Sequence, residues 1–450
     1  MVSAKVANLR TNLPVNAHWN PLLGQNRPFC VDAEAQQLYP IVGQNCPVRT
    51  RIGLLAKVRC RHNVLEEGSQ MSALPSYFTD FLTEIRPTDK QKEAYQTAHQ
   101  TLRDRLTEDS DTTALVITTF LQGSYRRATA VRPEGKHRPD VDVIVVTNID
   151  SDDPRNTPDA AVKLFIPFLD RHYEGSYERQ NRSIAITDGD VDLDLVIAAR
   201  PAETDRKLLL TDAVKSFETP DDVRDWRLNE NWVALNHRYG RFEDSLRKAA
   251  QSPEQRASPL KIPDRDLQRW EDTHPLEQIR WTWEKNGECS GHYVNVVKAL
   301  KWWRRISFPQ SKYPKGYPLE HIVGDCCPGG IETVARGVVD TFEEINRRYA
   351  DAIKQGIVPF LPDRGVPSHN VLHRLSFEDF RIFYEQCASA AKVARKALDS
   401  ETIRESANLW RSLFGDCFPE APDNENSGSS KTGGYTPRLA SSEVSRGRFA

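Results

Sequence analysis

Apolar residues recur at helical intervals from Pro75 onward: Tyr77, Phe78, Phe81, Leu82 and Ile85 form one set, and Tyr95, Ala98, Leu102 and Leu106 a second. Steps of three and four put each set along one face of a helix. Pro87-Thr88-Asp89 separates them, so the pattern predicts a short helix and then a longer one whose N-cap is Thr88 or Asp89. After Leu106 the period shortens. Ala114–Leu121, Val141–Thr147, Ser183–Thr187 and Val191–Ala198 alternate or run continuously apolar and are rich in β-branched residues, which reads as strands. Gly123-Ser124 marks a turn after the first strand, and Asp188-Gly189-Asp190 joins the last two as a hairpin. The turn residues Asp150–Pro158 lead into a helix near Asp159–Tyr173. Helices interleaved with a mixed sheet make an α+β core.

Beyond residue 225 the pattern is almost wholly helical. Amphipathic stripes run through Asn229–Ala249, Pro275–Asn286, Gly291–Ile306, Tyr317–Asp325, Ile331–Gln355, Ser376–Leu398 and Ser400–Phe414, so a helical domain is expected to pack on the first. Gly324-Asp325-Cys326-Cys327-Pro328-Gly329-Gly330 reads as a helix end followed by turn residues. Residues 1–70 hold prolines and short apolar fragments without a sustained period, and the two methionines are Met1 and Met71. Codons for Glu66-Glu67-Gly68 can spell a purine-rich ribosome-binding run ahead of Met71. Met71 is therefore the expected natural start, with residues 1–70 a leader or poorly ordered extension; a genuine N-terminal regulatory segment is the alternative. After Pro419 the chain turns rich in Asn, Ser, Gly and Lys, the composition of a disordered tail. The expected division is an extension over 1–70, a core over 71–225, a helical domain over 226–418 and a tail over 419–450. No internal repeat is evident.

With 450 residues the chain has room for two or three domains of roughly 100–200 residues each. Its net charge of −2 sets up no global positive field for long nucleic acid, which favours small charged substrates. No apolar run approaches the ~18 residues of a membrane span, and the N-terminus lacks the apolar segment of a secretory signal. The cytoplasm is the expected compartment, with no membrane contact. Cys30, Cys46, Cys60, Cys289, Cys326, Cys327, Cys387 and Cys417 show neither a Cys-x-x-Cys pair nor a structural-zinc spacing, so free thiols are expected.

The chemistry concentrates in the strands. Along a strand, side chains at i and i+2 share a face, so Asp140 and Asp142 can aim two carboxylates at one point while Val141 and Val143 bury on the other side. Magnesium takes hard oxygen ligands of this kind together with phosphates and water, and a third carboxylate from a neighbouring strand would let the site hold two ions. Asp194 is the candidate, preferred over Asp192 because it directly precedes the apolar run Leu195-Val196-Ile197-Ala198. Gly123 lets backbone approach a phosphate closely, and the Ser124 hydroxyl can hydrogen-bond it. In the helical half, Lys298 and Lys301 lie three apart in Lys298-Ala299-Leu300-Lys301-Trp302-Trp303-Arg304-Arg305. Either could reach a triphosphate, or both could be solvated beside packed tryptophans. Tyr293 and Tyr317 could stack on bases or fill a core. Arg126, Arg127, Arg132, Lys136 and Arg138 flank the aspartates in sequence, and either neutralise phosphates or solvate a loop. There is no P-loop pattern and no GxGxxG in a βαβ unit.

The order Gly123-Ser124, then Asp140-Val141-Asp142, then a lone strand aspartate, then Leu300-Lys301-Trp302-Trp303-Arg304-Arg305 and Tyr317-Pro318-Leu319-Glu320, resembles the CD-NTase family from about Met71 to Phe418. These are bacterial relatives of cyclic GMP-AMP synthase and oligoadenylate synthetase. The last two segments look like the clade that includes cyclic trinucleotide synthases. The resemblance implies a polymerase-β-like nucleotidyltransferase core with a helical C-terminal domain, the two-lobed architecture of oligoadenylate synthetase. It implies a nucleotidyltransferase that joins ATP, and GTP or another nucleotide, into a cyclic di- or trinucleotide second messenger. By matching positions, Gly123 and Ser124 would hold the donor triphosphate. Asp140, Asp142 and Asp194 would bind two Mg²⁺, with Mn²⁺ as a substitute. Lys301 would contact phosphates, with Lys298 and Arg127 as further nucleotide-binding candidates, and Tyr317 would lie near a base. Gly316 stands where the animal synthase has a phosphate-binding serine. Such relatives act in antiphage (CBASS) operons, where the product activates an effector, and some are joined through their C-terminus by ubiquitin-transfer-like partners. The zinc-ribbon insertion of the animal synthase is absent, so a DNA activator is not expected. The competing expectations are a template-independent RNA or tRNA nucleotidyltransferase, a catalytically silent nucleic-acid-binding member, and an enzyme that adenylylates a protein or antibiotic.

Overall fold

The computed structural model describes residues 73–133, 138, 140–203, 205, 209, 258–309 and 314–421, all within one compact unit spanning 59–450. The expected leader and start at Met71, the helix over 229–249, Lys136, the boundary at 225 and the tail over 423–450 lie outside the described residues.

Helix α1 (Pro75–Glu84) and α2 (Asp89–Glu108) stand where the apolar periods predict them. Thr88 starts α2 with a capping box: its hydroxyl accepts from the Gln91 amide at 3.2 Å, and the Gln91 side chain accepts from the Thr88 amide at 2.9 Å. Strand β1 (Val116–Gln122) runs into a one-turn helix, α3 (Gly123–Arg126), and then come β2 (Asp140–Thr147), α4 (Pro158–Lys163) and α5 (Ile166–His172). The helix expected over 159–173 is thus two helices, because Pro167 lacks an amide to continue α4 and instead opens α5. Strands β3 (Tyr177–Arg179), β4 (Ile184–Asp188) and β5 (Val191–Ala198) complete a sheet of order β1-β2-β5-β4-β3. Only β2 and β5 pair in parallel; the other neighbours are antiparallel.

Among the described residues, the almost wholly helical reading beyond residue 225 fails at one place. Leu260–Asp264 and Arg269–Thr273 form a hairpin, β6 and β7. Its strands are short and Pro263 interrupts the apolar run, which demotes a strand signal. Tertiary packing decides it: Leu260 and Ile262 bury against Phe120, Ile144, Val146, Val196 and Ala198 on one face of the sheet, and the Ala199 amide donates to the Lys261 carbonyl at 2.8 Å. Val141, Val143, Val145, Leu193, Leu195 and Ile197 fill the opposite face beneath α2, α4 and α5.

The remaining helices are α6 (Pro275–Glu288), α7 (Tyr293–Ser307), α8 (Gly316–Cys326), α9 (Val334–Gln355), α10 (Phe377–Leu398) and α11 (Ile403–Phe414). They share a core with α1, whose Phe78 meets Trp410 edge-on at 5.0 Å and whose Phe81 stacks on Phe414 at 4.5 Å. Trp302 and Trp303 of α7 lie inside this core. Cys326 ends α8, as the turn residues after it predict. Cys289, Cys326, Cys327, Cys387 and Cys417 are free thiols, the first four buried. No described helix is long and apolar enough to cross a membrane.

Candidate active site

Parallel pairing of β2 with β5 sets Asp140 beside Asp192 and Asp142 beside Asp194. Alternation along each strand places these four carboxylates on one face, the same face that carries Ile144, Val146, Val196 and Ala198 farther along. The β6–β7 hairpin covers that apolar end and leaves the acidic end at the start of both strands. Asp192 is compensated by Arg138, 3.5 Å away, and by the Thr187 hydroxyl at 3.1 Å. Asp194 accepts a hydrogen bond from Ser183 at 3.3 Å. Among the described residues, neither Asp140 nor Asp142 makes an ion pair.

The electrostatic consequence is a stack of carboxylates that holds protons too tightly. Burial, then repulsion from Asp142, Asp194 and Asp192, pushes Asp140 up to about 8. Burial and the Asp194 charge push Asp142 up to about 6, against the pull of Arg127. Asp194 is raised chiefly by burial. The described His, Cys, Asp and Glu side chains do not close a ready cage of three, as expected of like charges left to repel one another. The donor set fits a hard divalent ion: it offers carboxylate oxygens alone, with Asp142 and Asp194 half-buried, Asp140 exposed and negative charge in excess.

Gly123 is required where it stands. Its φ of +73° is left-handed, and a Cβ there would lie 1.8 Å from Asp142 Oδ2. Ser124 follows at the mouth of the site, and its carbonyl accepts from the Thr129 amide at 2.9 Å.

Opposite the aspartates, a buried ionic cluster joins the sheet half to the helical half. Arg127 Nε donates to Glu320 Oε2 at 3.0 Å. Glu320 Oε1 accepts from Thr129 Oγ1 at 2.9 Å and from Lys301 Nζ. Lys301 Nζ also donates to the Thr129 carbonyl at 3.0 Å. Burial opposes the Glu320 charge, but Arg127 and Lys301 outweigh it and hold the carboxyl far below its usual range. Burial likewise works against the Arg127 charge, and Glu320 more than restores it. The Tyr317 ring lies 5.3 Å from the Arg127 guanidinium, and its hydroxyl donates to Asp363.

A cavity of about 830 Å³ opens between the two halves, with Ser124, Tyr125 and Asp140 on one wall and Lys301, Gly316 and Leu319 on the other. A Cβ on Gly316 would meet the Lys301 side chain at an ordinary 3.7 Å, so the position has room for a serine. The structure therefore puts Ser124, Asp140 and Lys301 on the wall of one cleft, joins Gly123, Asp142 and Asp194 to them through the strand register and the close approach of Gly123, and sets Arg127 and Tyr317 behind the wall beside Glu320. Lys298 is not among them. It was expected to share the face of Lys301, yet it is only 4% exposed and absent from the cavity wall, with the like charges of Arg86, Lys301 and Lys92 nearest. A step of three turns a helical side chain by about 60°, enough to send Lys301 to the cleft and Lys298 inward. Tyr293 is a core residue, its hydroxyl on the Glu320 carbonyl at 3.1 Å. Glu320, Thr129 and Asp363 escaped sequence reasoning. Glu320 had a signal: a carboxylate set among Leu319, Ile322 and Val323 on a buried stripe needs a partner.

Residues 71–221 match the family described as Second Messenger Oligonucleotide or Dinucleotide Synthetase domain. Over 384 residues the chain is 44% identical to the cyclic AMP-AMP-GMP synthase of Enterobacter hormaechei subsp. hoffmannii, an alignment covering 84% of this chain and 100% of that protein. It is 28% identical over 357 residues to a cyclic AMP-AMP-AMP synthase of an Acinetobacter species, covering 78% of this chain and 87% of that one. The solved structure of CdnG from Bradyrhizobium diazoefficiens, a CD-NTase in complex with GTP, superimposes with a TM-score of 0.53 at 14% identity over 76% of this chain and 94% of its own, which establishes a common fold.

Proposed function

The chain belongs to the CD-NTase family, in the clade of the cyclic trinucleotide synthases, and is a nucleotidyltransferase that makes a cyclic oligonucleotide; from that premise we propose that it joins two ATP and one GTP into a cyclic AMP-AMP-GMP messenger. The observation that carries the reading is the register of β2 and β5, which aligns Asp142 with Asp194 beside Gly123 and Ser124. The 44% identity to a cyclic AMP-AMP-GMP synthase supports the choice of bases.

Asp140, Asp142 and Asp194 would hold two Mg²⁺, with Mn²⁺ able to replace them. When bound, the ions would lower the pKa of the attacking ribose hydroxyl and neutralise charge on the departing pyrophosphate. Asp194, in register with Asp142, would accept the hydroxyl proton. Ser124 donates to the triphosphate from the mouth of the site. Lys301 adds positive charge from the opposite wall and Arg127 from behind Ser124, and the Tyr317 ring stacks on a base. The protein contributes alignment and charge stabilisation, and no side-chain nucleophile is needed. The messenger acts on an effector in antiphage defence, and the enzyme works in the cytoplasm.

The test is incubation with Mg²⁺ and all four labelled nucleotides, followed by phosphatase and separation of products. A phosphatase-resistant product is expected from the intact protein. The Asp140→Ala/Asp142→Ala variant should make at least about a thousandfold less, because several kcal/mol of charge stabilisation is lost at about 1.4 kcal/mol per tenfold. Omitting ATP or GTP should abolish it, and omitting CTP or UTP should not. Linear products alone, or RNA tailing, would overturn the reading.

A further inference from the structure

We propose that Glu320 is a positioning residue: it holds Arg127 by Nε, keeping the guanidinium off Asp142 and presenting its Nη donors to the incoming triphosphate. The inference rests on the metal-site reading above and concerns a residue outside the aspartates.

Four observations converge. Arg127 is only 5% exposed; its amide donates to the Gly123 carbonyl at 3.1 Å, and among the described residues its one hydrogen-bonded side-chain nitrogen is Nε, taken by Glu320. Its Nη atoms are not among the buried polar atoms left without a partner, so they remain open to a ligand that can accept hydrogen bonds. Its field reaches Asp142, which has no ion pair of its own. Lys301, by contrast, has its ammonium committed to Glu320, the Thr129 carbonyl and, at 3.4 Å, the Thr129 hydroxyl. The cluster therefore divides the work: Lys301 and Thr129 tie down Glu320, Glu320 ties down Arg127, and Arg127 keeps free donors. Thr129 extends the tie to the triphosphate side through its amide bond to the Ser124 carbonyl at 2.9 Å.

Gly123, whose carbonyl accepts from the Arg127 amide, sits against Asp142, so removing the Glu320 charge leaves Arg127 free to turn to Asp142, whose charge already acts on it. An Arg127–Asp142 pair would occupy oxygens that a divalent ion needs. Glu320 would thus act on metal binding through Arg127 without touching the metal.

The experiment is Mn²⁺ titration of the full-length protein without nucleotide, read from the electron paramagnetic resonance of free Mn²⁺, alongside the KM for ATP. Glu320→Gln is expected to weaken Mn²⁺ binding by about tenfold or more, the size typical of a lost supporting contact around a metal ligand, and to raise the KM. Arg127→Gln/Glu320→Gln is expected to bring Mn²⁺ affinity back to within about threefold of wild type, while the KM stays high. A lower melting temperature with unchanged Mn²⁺ affinity would reduce Glu320 to a structural role and overturn the proposal, as would failure of the double variant to recover. Should Glu320→Gln not fold, Arg127→Gln and the double variant serve in its place. Equal Mn²⁺ affinity in those two supports the proposal, and a difference beyond about tenfold overturns it. Wild-type protein that binds no Mn²⁺ in an Asp142-dependent way would instead remove the metal-site reading, and the proposal with it.

Discussion

Gly123 and Asp142 show how tightly single atoms constrain this site. A Cβ at Gly123 would meet Asp142 Oδ2 at 1.8 Å on a backbone already left-handed. Gly123→Ala therefore has to pay the strain of that conformation, roughly 1–2 kcal/mol, and displace Asp142 as well. We expect a lower melting temperature together with a loss of Mn²⁺ affinity; a variant that melts early but binds Mn²⁺ normally would show that the contact is not critical. The aspartates also set a pH dependence. Asp140 and Asp142 are raised to about 8 and about 6 in the folded protein, against ~4 in an unfolded chain. The folded state keeps protons that the unfolded state has lost, so the stability these groups contribute is whole below about pH 4 and is lost as pH rises through both folded values. A divalent ion bound to the deprotonated carboxylates would reverse the loss. The Mg²⁺-induced rise in melting temperature should grow between about pH 5.5 and pH 8.5, and vanish in Asp140→Asn/Asp142→Asn. A rise of equal size at both pH values would contradict the assignment.

At the level of elements, the site depends on how helices and strands begin. The Thr88 capping box fixes the start of α2, which lies against the sheet face opposite the aspartates. Thr88→Ala should cost about 1 kcal/mol, the usual worth of such a cap, in a chemical-denaturation experiment. The rate per folded molecule should stay as it was, since the Thr88 side chain hydrogen-bonds to Gln91 of its own helix. A large loss of rate at normal stability would mean that α2 does more than support the sheet. The β6–β7 hairpin has a parallel function on the other face, covering Ile144, Val146, Val196 and Ala198 so that the acidic half of that face alone remains available for chemistry.

Across the whole molecule, chain order and spatial order differ. Helix α1 opens the described chain yet packs in the core of the helices that close it, through Phe78, Phe81, Trp410 and Phe414. Phe81→Ala should therefore cost about 3–5 kcal/mol and loosen the C-terminal helices, a change read by the fluorescence of the buried Trp302, Trp303 and Trp410. An unaltered tryptophan signal across the unfolding transition would show that α1 is not part of that core. The cleft itself is a product of this folding back. Its walls are the sheet half and the helical half, tied by Glu320, which bonds Arg127 and Thr129 on one side and Lys301 on the other, and by Lys301 itself, which donates to the Thr129 carbonyl.

The elements that the sequence alone determined are those with long, unbroken periods. The α1 and α2 stripes, β2, the β4–β5 hairpin and the long helices α9 and α10 were all legible, because three- and four-step or two-step spacing is a local property of the backbone. Asp140 and Asp142 were legible for the same reason, as alternation alone puts them on one face. Short or broken signals were not: β3 is three residues long, β6 contains a proline, and both form because neighbours are already in place to pair with them. Tertiary structure alone decided the rest. Asp142 meets Asp194 through parallel pairing of strands 52 residues apart in the sequence, and Lys298 parts from Lys301 through which side of α7 the core takes. Glu320 acquires its meaning only from Arg127, nearly two hundred residues earlier in the chain. No local period encodes such a partner, since a buried charge is specified by the charges that fold around it.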